Sequence, residues 1–241
     1  VKPYPWRIKG IVPMNETLLV VGPSRSGKTF EVVDMAMHLC MEKPKFAGKK
    51  VIPCGVIYLA YEGVSGFENR IRAYLQHHGY SQQDLHSFAW LTRPPNLFTE
   101  EGKIEDLITE INEIASKFRL PLGVLVIDTH NASTRGASEV KSDEIGKIMN
   151  HHDMIAERTG ATPWIIGHTN SEGKHRGKEQ FFNRLETAML IERVYTDNKH
   201  QVEKRDDEGR VIRRAKMMKQ RDGSDELHWD FVLQVLSLGK D

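Results

Sequence analysis

The 241 residues include two cysteines, Cys40 and Cys54, and neither sits in a C-x-x-C pair. Two isolated thiols do not make a disulfide framework. Long apolar runs are absent as well. None reaches the ~18 residues that a membrane-spanning helix needs. No N-terminal stretch has the basic, apolar and small-residue order of a signal peptide. The expectation is a cytoplasmic protein with no membrane partner. Net charge is nearly absent too: 34 Lys and Arg stand against 33 Asp and Glu, leaving +1. A protein that binds nucleic acid through bulk charge is strongly basic, so any such contact here must come from local patches. No repeat, low-complexity tract or linker divides the chain. Residues 1–241 therefore read as one domain, with 1–16 as an N-terminal extension.

A complete phosphate-binding signature is present. Gly22-Pro23-Ser24-Arg25-Ser26-Gly27-Lys28-Thr29 fits G-x-x-x-x-G-K-[ST]. In that pattern the backbone N–H groups wrap the phosphates of a nucleoside triphosphate. Lys28 brings a point charge to the β/γ-phosphates, and Thr29 a hydroxyl to Mg²⁺. The apolar run Thr17–Gly22 before it reads as a buried strand. The helical spacing of Val32, Val33, Met35, Ala36, Met37 and Leu39 predicts a helix over Phe30–Glu42. The phosphates then lie at a helix N-terminus, with Phe30 closing the nucleotide-binding stretch.

The rest alternates between strand and helix. Strands are predicted over Val51–Tyr61, Ser87–Thr92, Leu122–Asp128 and Thr162–His168. Helices are predicted over Phe67–His78, from Ile104 to Phe118, and from an N-cap at Ser142 to a stop at Gly160. Residues 129–140 and 169–184 read as polar loops, and further strands follow, with a hairpin turn at Asp207-Glu-Gly209. This alternation means an α/β fold: a mostly parallel sheet with helices on both faces and C-terminal antiparallel strands. A basic hairpin is expected over 199–222.

Ligands on such sheets bind at the carboxyl ends of strands, where the phosphate loop, Glu62, Asp128 and His168 all fall. Asp128 closes an apolar strand and is the candidate Mg²⁺ ligand with Thr29. Position 129 is Thr rather than an acid, so a water-activating carboxylate must come from elsewhere. Glu62 is the candidate, on the expectation that its strand neighbours the phosphate-loop strand; Glu68 is the alternative. His168, on a strand expected beside the metal strand, is placed to sense the γ-phosphate and pass that signal into loop 169–184. Lys219 and Arg221 are two apart, so on a strand they share one face and could reach a neighbouring subunit's phosphates. The pairs His77-His78 and His151-His152 read as surface or helix residues, and Trp6 and Tyr61 are candidates for stacking on adenine.

With these residues the chain resembles the RecA-type ATPases and, within them, the RepA-like hexameric replicative helicases of plasmids and phages. The carrying elements are Gly22–Thr29, Tyr58-Leu-Ala-Tyr-Glu-Gly63, Val126-Ile-Asp-Thr129, Gly167-His-Thr169, Arg176-Gly177 and Lys219-Gln-Arg-Asp222. The resemblance implies a RecA-like core, ATP and Mg²⁺ as cofactors, and self-association into a ring with nucleotide between subunits. It implies Glu62 as catalytic carboxylate, His168 as γ-phosphate sensor, and Lys219 and Arg221 acting in trans. It also implies single-stranded DNA at loops 129–142 and 169–184, the second carrying Lys174, Arg176, Lys178 and Arg184, with Phe181 and Phe182 available to stack on bases. The chain departs from the family at Gly167, where members often have a second His, and at the bulky run Lys178-Glu-Gln-Phe-Phe. Two other functions fit the same motifs: a recombinase-like or loader ATPase whose DNA affinity is switched by ATP, and a regulatory RecA-type ATPase without nucleic acid.

Overall fold

Short apolar runs bounded by turns become strands of one large sheet, and the stretches of helical period cover its two faces. The computed structural model describes residues 4–138, 141–169, 185–197, 202–220, 223–224 and 226–239. In chain order the elements are β1 (Trp6–Ile8), β2 (Val12–Pro13), β3 (Leu18–Val21), α1 (Lys28–Cys40), β4 (Lys45–Phe46), β5 (Lys49–Lys50), β6 (Gly55–Ala60), α2 (Val64–His78) and β7 (Phe88–Thr92). There follow α3 (Ile104–Ala115), β8 (Leu122–Asp128), α4 (His130–Ser133), α5 (Ser142–Thr159), β9 (Thr162–Ile166), β10 (Thr187–Arg193), β11 (Ile212–Gln220) and β12 (His228–Val232).

Eight strands form the main sheet in the order β12-β11-β10-β3-β9-β8-β6-β7. The six strands from β10 to β7 run parallel. β11 and β12 return antiparallel at one edge. Side chains of a strand alternate between faces, and here the alternation separates two cores. Leu18, Val20, Val56, Tyr58, Val124 and Val126 face one side with Val32, Met35, Phe67 and Ile71 of α1 and α2. Leu19, Val21, Ile57, Leu59, Leu125 and Ile127 face the other with Ile104, Leu107, Ile145 and Met149 of α3 and α5. The expected α/β fold with helices on both faces and antiparallel C-terminal strands is the fold observed.

Boundaries moved where side-chain pattern and backbone geometry part company. The apolar run from Val51 enters the sheet only at Gly55, because Val51 makes a lone bridge to Ile8. Ser142 is the first residue of α5 rather than its cap; Lys141 holds the cap position. Gly160 ends that helix in the left-handed conformation, at φ 70°. Residues 129–140 are not all loop, since the Thr129 hydroxyl accepts from Ala132 N and caps the short α4. His151 and His152 are helix residues of α5, one of the two expectations, and both are buried. Residues of the expected N-terminal extension pack into the core: Ile8, Ile11 and Val12 are fully buried. The hairpin turn forms at Asp206–Gly209, closed by Gly209 N on Asp206 O. Among the described residues no helix is long and apolar enough to cross a membrane.

Candidate nucleotide and active site

The phosphate loop turns sharply between β3 and α1, and two glycines make that path possible. A Cβ on Gly22 would stand 2.0 Å from the Ile191 carbonyl of β10. Gly27 has φ +104°, and a Cβ there would meet the Arg213 side chain at 2.9 Å. The loop floors a cavity of about 460 Å³ whose wall includes Lys28, Thr29, Glu62, Asp128, His168 and Arg213. Pro23, Ser24 and Arg25 form the exposed crest of the loop, and Ser26 is buried beneath it.

Lys28 is buried and donates from Nζ to Gly22 O at 2.9 Å and Pro23 O at 2.8 Å. Burial lowers its pKa to about 8, against the opposing pull of Asp128 and Glu62. Its third contact is His168 Nδ1 at 3.3 Å. An ammonium only donates, so Nδ1 accepts and the ring proton sits on Nε2. That nitrogen faces Glu62 Oε2 at 3.8 Å. Burial, then the Lys28 charge, hold His168 below the ordinary imidazole pKa, which favours this neutral ring.

Asp128 lies at the end of β8, 3% exposed. Its Oδ2 accepts from the Thr29 hydroxyl at 2.8 Å and from the Tyr58 phenol at 2.5 Å. Burial raises its pKa, while the two hydrogen bonds pull the other way. Tyr58 reaches Asp128 because β6 and β8 are neighbours in register and both side chains fall on the α1 face. A carboxylate beside a threonine hydroxyl at the foot of a phosphate cavity is a set of hard oxygen donors, which suits Mg²⁺ shared with substrate phosphates. Among the described residues no cluster of three or more His, Cys, Asp and Glu forms a metal cage of its own.

Glu62 reaches the cavity by a route the sequence did not suggest. Its strand, β6, does not neighbour β3; β9 and β8 stand between them. The carboxylate arrives because Tyr61 N and Glu62 N both donate to Asp128 O, at 2.7 and 3.2 Å. Thr129 then donates its hydroxyl to Glu62 Oε1 at 2.9 Å. The residue that displaces an acid at position 129 thus orients the acid that replaces it. β9 does pair with β8, the strand that ends in Asp128, as expected of the strand leading to His168. Glu68 is exposed on α2 and does not line the cavity.

Other candidates lie apart. Lys219 pairs with Ala188, whose neighbour on β3 is Leu19, so it sits ~10 Å below the rim at ~3.3 Å per residue. Arg221 and the DNA-loop candidates Lys174, Arg176, Lys178 and Arg184, with Phe181 and Phe182, lie outside the described residues. Trp6 and Tyr61 do not line the cavity; Tyr61 donates its phenol to Pro95 O. The aromatic that does is Phe30, 44% exposed, with the Arg70 guanidinium 5.6 Å over its ring. Arg70 and Arg193 had no motif to mark them; Tyr58 opens the Tyr-Leu-Ala-Tyr-Glu-Gly element and Arg213 lies in the basic hairpin, but nothing in the sequence placed either at the cavity.

Fold and site together define a RecA-like P-loop ATPase. The family model described as an AAA domain matches residues 2–174, and the chain belongs to that family. The fold is shared with the solved structure of a KaiC-like protein from the hyperthermophilic archaeon Pyrococcus horikoshii OT3. The TM-score is 0.57 at 15% identity, with 96% of this chain and 93% of that one covered. A search of curated proteins gives no match.

Proposed function

We propose that this chain hydrolyses ATP with Mg²⁺ and uses the cycle to move along single-stranded DNA as a ring-forming motor of the RepA-like helicase type. The observation that carries the hydrolytic part is Glu62, oriented by Thr129 and facing His168 across a cavity floored by the phosphate loop. Loop N–H groups and Lys28 hold the β/γ-phosphates. Thr29 and Asp128 are the groups that would hold Mg²⁺, which supplies charge neutralisation on the transferring phosphoryl oxygens. Glu62 takes the proton from an attacking water. Lys28 must turn from His168 toward the phosphates, so nucleotide occupancy changes the partner of the residue that leads into 170–184. That segment holds the basic residues suited to DNA phosphates. Lys219, too far below the rim to serve its own cavity, is assigned to the next subunit's nucleotide together with Arg221, in a ring of six subunits as in the helicases it resembles.

The test is steady-state ATP hydrolysis with and without single-stranded DNA at two salt concentrations. Stimulation by DNA that fades as salt rises is the expected result, because phosphate contacts release counterions. Hydrolysis indifferent to DNA would instead support a regulatory ATPase, a reading that the net charge of +1 favours.

A further inference from the structure

On one side of β3 lie β9, β8 and β6, bringing His168, Asp128 and Glu62; on the other lie β10 and β11. There Arg193 and Arg213 stand directly opposite each other on the antiparallel ladder. Like charges in that position repel, and nevertheless both guanidinium groups are held at the cavity wall. Both are fastened to the phosphate loop. Arg193 Nη2 donates to Arg25 O at 3.4 Å, and the Arg213 stem lies over Gly27. Glu203 offsets one of the two charges by accepting from Arg193 Nη1. Arg213 Nη1 donates to Val211 O at 2.9 Å, while its buried Nε has no hydrogen-bond partner among the described residues. Burial and the Arg193 charge hold the Arg213 guanidinium below its usual pKa, a penalty that an anion would relieve. In all, Arg25, Lys28, Arg70, Arg193 and Arg213 line the cavity against the carboxylates Glu62 and Asp128. Such an excess of cations fits a polyanion.

We propose that Arg193 and Arg213 form a clamp, supplied by the chain's own β10–β11 edge, that binds the polyphosphate of the nucleotide from the side opposite Glu62. This rests on the nucleotide-binding reading above. Because the clamp stands across the cavity from the hydrolytic groups, it grips the diphosphate product as well as the triphosphate. Arg193 is already neutralised by Glu203, so Arg213 is the stronger contributor.

The test is an equilibrium titration of the full chain with a fluorescent ADP analogue without Mg²⁺, on wild type, R213Q, R213K, R193Q and K28A. R213Q is expected to weaken binding about tenfold or more, the value of a charge-assisted hydrogen bond. R213K should recover part of that loss, and R193Q should lose less than R213Q. Wild-type affinity in both R213Q and R193Q, with binding lost in K28A, overturns the clamp and leaves the phosphate loop standing. Wild-type affinity in K28A overturns the nucleotide reading and the clamp with it. Circular-dichroism melts identify a variant that does not fold; if that is R213Q, wild-type affinity in R193Q alone overturns the proposal.

Discussion

The two flanks of the phosphate loop are built on different terms. On the β9–β8–β6 flank every candidate catalytic atom is pinned by another. Thr29 and Tyr58 hold Asp128, Thr129 holds Glu62, and Lys28 holds His168. On the β10–β11 flank long arginines reach over the loop from strands joined by a charged hairpin. The difference matches the two roles proposed for the flanks. Bond making needs atoms fixed to fractions of an ångström, whereas a polyanion is met by charge, and the arginines are tied to backbone carbonyls and Glu203 rather than to the catalytic candidates.

The comparison can be broken most severely at Glu62. Glu62→Gln should lower the ATP hydrolysis rate about 10²–10⁴-fold, the usual worth of a general base. ADP affinity should hold or rise, since a negative charge leaves the cavity. Normal turnover in that variant would remove Glu62 as the base. A smaller effect is expected at Tyr58→Phe, which deletes the phenol on Asp128 but keeps the ring against Phe67, 4.4 Å away between centroids. If Asp128 holds Mg²⁺ as proposed, loss of the phenol that orients it should raise the Mg²⁺ concentration needed for tight ADP binding about tenfold. Calorimetric titration of Mg²⁺ reads this directly, and an unchanged requirement would reduce Tyr58 to a packing residue.

The smallest effect lies at the seam between the flanks. Glu31 on α1 accepts from the Trp229 indole of β12 at 2.6 Å, and burial raises its pKa to about 8. A carboxyl whose folded pKa lies above its unfolded 4.5 stabilises the fold fully below pH 4.5 and loses that contribution as pH rises through 8. Glu31→Gln keeps an acceptor for the indole and removes the ionisation. Its unfolding free energy, followed by thermal melts, should therefore gain on wild type as pH rises from about 5 to about 9, by a few kcal/mol at most. Parallel melting curves across that range would show that Glu31 ionises freely in the folded chain.

What was legible in the sequence was local. The phosphate loop declares itself in eight consecutive residues, and apolar period 2 or 3.6 marks most strands and helices. Strand order is not local, which is why β6 was placed beside β3 when β9 and β8 intervene. Tyr58 belongs to the Tyr-Leu-Ala-Tyr-Glu-Gly element, but its bond to Asp128 was not legible, because that partner is seventy positions away. Arg213 lies in a run with Arg214 and Lys216 that reads as a solvated face until the antiparallel return of β11 brings one member onto the loop. His151 and His152 do lie on a helix, but their burial was not legible. Adjacent imidazoles suggest solvent, yet His151 Nδ1 lies 2.7 Å from Leu97 O inside the fold.

The bond between Lys28 and His168 carries an obligation of symmetry. Phosphates that draw Lys28 away release the imidazole, so nucleotide and His168 compete for one ammonium. By reciprocity of linked equilibria, any ligand that pulls His168 off Lys28 tightens nucleotide binding by the same factor by which nucleotide tightens that ligand. An ammonium shared in this way would couple occupancy of the cavity at the carboxyl end of β9 to the chain that leaves that same end at His168.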